Sequence, residues 1–95
     1  MRVRWSKRAR DDLIAVGRYI AADDRTAARR FVARLKARIA LAAKSPLAGR
    51  RVPELMRDDI REVIEGNYRL VYRVSAKTIE VLTVFEGHRT LGDAN

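Results

Sequence analysis

Behind a short opening strand, the hydrophobic period of this chain changes from 3.6 to 2, and that change divides the fold in two. From Ala9 to Ala42 the apolar residues recur at helical spacing; from Ile60 they alternate as strand residues do. Between them, residues 46–58 hold both prolines and Gly49 and fit neither period, so they read as a loop. A helix with one apolar stripe must bury it, and a sheet with one apolar face needs a cover. Helices first and strands afterwards therefore predict an α+β architecture in the order β-α-α-β-β-β. A helical hairpin packs on one face of a small antiparallel sheet.

The first strand is the short alternation Arg2-Val3-Arg4-Trp5. Ser6 stands where an N-cap would start a helix, and Ala9, Leu13, Val16 and Ile20 then form one helical face. Asp23 and Asp24 interrupt it and suit the positive end of a second helix. That helix carries Ala28, Phe31, Leu35, Ile39 and Ala42 on one side, and a basic stripe of Arg30, Arg34 and Arg38 on another. With so short a connection the two helices should run antiparallel.

Ile60–Glu65 and Tyr68–Val74 read as strands joined by Gly66-Asn67, a pair suited to a type II′ turn. The turn fixes the register. Glu65 faces Tyr68, Val63 faces Leu70 and Arg61 faces Tyr72 on one side; Ile64–Arg69, Glu62–Val71 and Ile60–Arg73 share the other. After a turn at Ser75-Ala76-Lys77, residues 78–85 form a strand apolar on both faces, which predicts an interior position.

At 95 residues and 47% hydrophobic content, the whole chain, 1–95, reads as one domain with a buried core. No apolar run reaches the roughly 20 residues that span a bilayer, and Met1 leads into charge rather than a signal sequence, so no membrane role is expected. The absence of cysteine excludes disulfides and thiolate chemistry and fits a reducing, cytoplasmic setting. With a single histidine and no cysteine, neither a metal site nor a cofactor is expected.

The net charge is +9, and its position matters more than its size. Residues 1–45 carry 13 basic and 4 acidic side chains, whereas residues 46–95 carry 8 of each. Such a surface attracts nucleic acid, ribosome or an acidic protein. The plainer reading is arginine-rich composition, since 17 of the 21 basic residues are Arg.

For chemistry, the register puts Arg69 and Arg73 on one sheet face with Glu62 between and across from them. An arginine pair of this kind clamps a phosphate or stabilises a pentacoordinate transition state; alternatively, Glu62 neutralises it in a solvated cross-strand network. His88, the lone histidine, is either a general acid–base or a solvated tail residue. The aromatic residues Trp5, Phe31, Tyr68, Tyr72 and Phe85 interleave with apolar positions and read as core rather than as a base-stacking platform.

Taken in order, Trp5-Ser6, Asp12-Leu13, Tyr19-Ile20-Ala21, Pro46-Leu47-Ala48-Gly49-Arg50, Val52-Pro53-Glu54-Leu55, Arg61-Glu62, Tyr68-Arg69-Leu70-Val71-Tyr72-Arg73-Val74 and Ile79-Glu80-Val81-Leu82-Thr83-Val84 resemble the RelE/ParE superfamily. These are the toxins of bacterial type II toxin–antitoxin systems, and the resemblance runs from about Val3 to Arg89. It implies the same helical hairpin on a sheet. It also implies an antitoxin partner, usually acidic where it wraps the toxin, and contact with operator DNA only through the toxin–antitoxin complex.

The superfamily has two activities. RelE-like members cleave mRNA on the ribosome without metal. Arg69 matches their strand arginine, but their strand lysines fall on Ile60 and Glu62 and no tyrosine follows Tyr72. Some nuclease members use a loop glutamate, this arginine and a late histidine, which would be Glu54, Arg69 and His88. ParE-like members mostly poison DNA gyrase. Their long hairpin, their Gly-Arg-x-Val-Pro-Glu loop and their terminal arginine, here Arg89, are the better resemblance, although Glu86 replaces the usual histidine. The expected activity is therefore ParE-like, with the ribosome and mRNA as the alternative target and a plain nucleic-acid-binding domain behind both. The expected partner-binding cations are Arg30, Arg34, Arg38, Arg61, Arg73 and Arg89.

Overall fold

A computed structural model describes residues 1–87. The chain forms β1 (Arg2–Trp5), α1 (Lys7–Ala21), α2 (Arg25–Lys44), a 3₁₀ turn at Pro46–Ala48, β2 (Arg50–Arg51), β3 (Ile60–Glu65), β4 (Tyr68–Val74) and β5 (Thr78–Glu86). Both helices start on the residues that can cap them. Ser6 is extended and its Oγ accepts the Ala9 N–H at 3.0 Å; Asp24 does the same for Ala27 at 3.0 Å. The Ser6 hydroxyl also donates to the Leu82 carbonyl, which ties the start of α1 to β5.

The α+β class is as expected, with the helical hairpin on one face of the sheet, but the sheet has five strands and is mixed. Its order is β1-β5-β4-β3-β2, and β1 runs parallel to β5. A four-residue strand carries no information about its partner, so the alternation at Arg2–Trp5 gave the element and not its direction. The second addition is β2, inside the segment expected to be loop, where Arg50 pairs with Glu62 and Arg51 with Arg61. Two residues are too few for any period to register. The β3–β4 register is the one counted from the turn, from Glu65↔Tyr68 to Ile60↔Arg73. Gly66 has φ of +58° and Asn67 stays at negative φ, the pattern of type II′ rather than I′. As expected from its two apolar faces, β5 is interior, between β1 and β4.

Alternation along the strands sends side chains into two layers. Under the hairpin, Val63, Leu70, Tyr72, Ile79, Val81 and Val84 pack against Leu13, Val16, Leu35 and Ile39. Full burial of a Leu or Ile side chain such as Leu35 or Ile39 stabilises by about 1.5–3 kcal/mol. The opposite face carries a smaller cluster, Val52, Ile60, Val71 and Phe85, with Leu82 packed on it. A register shift between Val71 and Tyr72 leaves Leu82 as the extra residue of a bulge. Past the end of β1, Asp12 accepts the Val84 N–H at 2.9 Å and the Thr83 hydroxyl at 2.7 Å, covering a sheet edge that no strand of the described residues pairs. Among the described residues no helix is long and apolar enough to cross a membrane.

Candidate functional site

The helix-free face of the sheet holds a cluster built around Arg69. Its position on β4 points the side chain to the Glu62 side, and the loop after β2 folds back so that Glu54 meets it from above. Arg69 Nη1 and Nη2 donate to the two oxygens of Glu54 at 2.9 and 2.8 Å, and Nε donates to Glu62 Oε1 at 2.8 Å. Nη2 also lies 2.6 Å from Glu62 Oε1. The other Glu62 oxygen accepts from Arg50 Nε. Beneath the guanidinium lies the Phe85 ring, its centroid 4.9 Å away.

The side chains of Arg69 and Glu62 are 5% and 0% exposed. The bidentate hydrogen bonds to Glu54, followed by those to Glu62, raise the Arg69 pKa above the ordinary arginine value against the opposing effect of burial. The cation is therefore permanent, and it is spent on two carboxylates. Neither sequence-based alternative for this group holds unchanged. Glu62 does neutralise Arg69, but in a buried cluster rather than a solvated one, and Arg73 turns away to Glu80 at 3.1 Å.

Two of the three nuclease candidates, Glu54 and Arg69, are thus brought together as an ion pair. The third, His88, lies outside the described residues, as does Arg89. Among the described residues no three His, Cys, Asp or Glu side chains gather as metal ligands would. Of the expected partner-binding cations, Arg61 donates to the backbone carbonyls of Asp58, Leu47 and Gly49 and so holds the 3₁₀ turn against β3. Arg34 pairs with Glu65 and stacks 5.4 Å over Phe31. Arg30 is exposed and Arg38 half-buried.

The surface that the sequence reading did not single out is the groove along the outside of the hairpin. From α1 it is lined by Arg10, Leu13, Ile14, Gly17, Arg18 and Ala21; from α2 by Arg25, Ala28, Arg29, Val32, Ala33 and Lys36. Both sets follow the spacing i, i+3, i+4, i+7, i+8, i+11, so each helix presents one continuous stripe to the groove. Small residues keep it open: at Gly17 an added Cβ would already touch Val32 at 3.4 Å. The groove measures about 1060 Å³, with Trp5 beside Arg10 at one end. Its floor is apolar, its borders carry five cations, and among the described residues no carboxylate lines it. The signal was present in the sequence as Arg10/Arg18 on α1 and Arg25/Arg29/Lys36 on α2.

The molecule is thus a helical hairpin on a five-stranded sheet, with a basic groove along its outer side and a buried arginine–carboxylate cluster on the other face. Residues 3–91 match the family described as the ParE toxin of the type II toxin–antitoxin system parDE, and the chain belongs to that family. A relative from Sinorhizobium fredii (strain NBRC 101917 / NGR234), named "Putative toxin Y4kP", is 37% identical over 90 residues, covering 93% of this chain and 90% of that protein. Among solved structures, a chain of the chromosomal ParDE toxin–antitoxin system from P. aeruginosa shares the fold, with a TM-score of 0.73 and 19% identity over 90% of this chain and 95% of that one.

Proposed function

We propose that this protein is a cytoplasmic ParE-type toxin that inhibits DNA gyrase when free and is neutralised by an acidic antitoxin segment seated in the hairpin groove. The observation that carries the antitoxin half is the groove itself. An apolar floor bordered by five cations, with no carboxylate from the described residues, suits an amphipathic helix whose flanks are acidic. Membership of a family defined by parDE pairs supplies the expectation of such a partner. The commitment of Arg69 to Glu54 and Glu62 favours gyrase over mRNA cleavage, because a nuclease arginine must be able to turn toward a phosphorus centre.

The test runs two assays on one preparation: inhibition of gyrase supercoiling, and mRNA cleavage on programmed ribosomes. Inhibition without cleavage is expected. Cleavage that disappears in Arg69→Ala and in the milder Glu54→Gln, with gyrase unaffected, would establish the ribonuclease alternative instead.

A further inference from the structure

A second group of arginines lies on the helix-free face, at the corner where β1, β5 and β4 meet. The register sets Arg4, Glu80 and Arg73 side by side across these three strands, with Arg2 opposite Thr78 in the next row on the same face. With Val3 and Ser75 they line a cleft of about 600 Å³. Glu80 is shared: one oxygen lies 3.4 Å from Arg4 Nε and the other 3.1 Å from Arg73 Nη2. The Arg2 side chain has no ion pair or hydrogen bond with any described residue. Three guanidinium groups therefore face one carboxylate, an excess of two positive charges in one cleft.

We propose that this corner is a seat for a phosphate group, held by Arg2, Arg4 and Arg73. Neighbouring strands are about 4.8 Å apart, so Arg4 and Arg73 start about 10 Å from each other and converge over Glu80. Glu80 keeps the two arms aimed at a common point while leaving them undersaturated. A tetrahedral anion with oxygens in several directions answers three guanidinium forks lining one cleft better than a further planar carboxylate does.

The contrast with Arg69 is what makes this group available. Arg4 and Arg73 are 75% and 53% exposed, whereas Arg69 is 5% exposed and bonded on both sides. Exposed ion pairs contribute little, so these guanidinium groups are redirected to a ligand at small cost. Thr78 and Ser75 add hydroxyl groups at the border, although Ser75 Oγ already donates to the Thr78 carbonyl. Phosphate chemistry reaches such a seat from a free phosphate or nucleotide, or from the backbone of a nucleic acid.

The test follows the arginine Nε–H signals by NMR as inorganic phosphate, then adenosine monophosphate, then a short DNA duplex is added to the full chain. Saturable shifts are expected at Arg2, Arg4 and Arg73. Arg2→Gln/Arg73→Gln should weaken phosphate binding by at least about tenfold, while Lys44→Gln/Arg51→Gln, which removes equal charge elsewhere, changes it less than about twofold. Backbone spectra of both double variants confirm that they are folded. Duplex binding with the same arginine dependence identifies backbone phosphate as the ligand; binding of the small phosphates alone identifies a free ligand. Shifts that never saturate, or equal weakening in the two double variants, would reduce the seat to general positive charge and overturn the proposal.

Discussion

Replacing Arg69 by methionine removes the cation from a cluster in which Glu62 has no access to water. Glu62 would keep only Arg50, whose side chain is 59% exposed, while Glu54, 27% exposed, can turn outward to solvent. Breaking a buried pair by deleting one partner costs about 3–5 kcal/mol, because the remaining charge stays desolvated. Against a total stability of about 5–15 kcal/mol for a domain of this size, that is a large fraction. With a urea m-value of about 1–1.5 kcal/mol/M, the unfolding midpoint should fall by about 2–5 M. Adding Glu62→Leu should return about 2 kcal/mol or more, since an apolar pair in place of a buried ionic one is close to neutral. Urea titration followed by circular dichroism measures all three proteins. A loss below about 1 kcal/mol for Arg69→Met, or no recovery in the double variant, would refute the view that Arg69 is a buried structural cation.

Further consequences follow from single contacts. At Gly49 a Cβ would run into the Tyr72 hydroxyl and lie 3.0 Å from the Glu62 carbonyl oxygen. Gly49→Ala should therefore lower stability by about 1–3 kcal/mol in thermal or urea unfolding. Asp12→Ala strips the acceptor from the Val84 N–H and the Thr83 hydroxyl and should cost about 1–3 kcal/mol, with faster hydrogen exchange at Val84 as the local readout. Burial raises the pKa of the Tyr72 phenol, which also donates to the Pro46 carbonyl at 2.6 Å, and burial together with Glu86 and Tyr19 raises that of Tyr68. A folded pKa above the unfolded value of about 10 means stability is intact below that pH and lost as pH rises through it. Alkaline unfolding should accompany tyrosinate formation in ultraviolet titration, and Tyr72→Phe should flatten the pH dependence above about 10.

Much of this fold is written locally. Ser6 and Asp24 are strong caps in front of amphipathic stripes, and Gly66-Asn67 fixes a two-residue turn from which the β3–β4 register follows by counting. What could not be read depends on distant chain. The parallel pairing of β1 joins Arg2 to Thr78, and the Arg50–Glu62 pair creates a strand too short to show a pattern. The same holds at the site. Alternation put Arg69 and Glu62 on one face, but only the return of the loop at Glu54 buries them and turns two readings of that pair into a structural cluster. The hairpin stripe of Arg30, Arg34 and Arg38 was legible, yet Arg34 is directed to Glu65. The cations bordering the groove come from both helices, and a single helical wheel cannot show that Arg18 and Arg29 border the same groove.

If the antitoxin docks as proposed, the charge excess of the first half of the chain steers it into the hairpin groove. The most direct measurement is the association rate of the purified cognate antitoxin with the wild-type chain and with Arg18→Glu/Arg29→Glu, at low and at physiological ionic strength. Steered association slows steeply as salt is added, because screening shortens the reach of exposed charge to about 8 Å at physiological strength. The wild-type rate should fall by about tenfold or more over that range, while the charge-reversed variant should associate more slowly at low salt and show a much shallower salt dependence. A wild-type rate indifferent to salt, or a variant that associates as fast as the wild type, would contradict this steering.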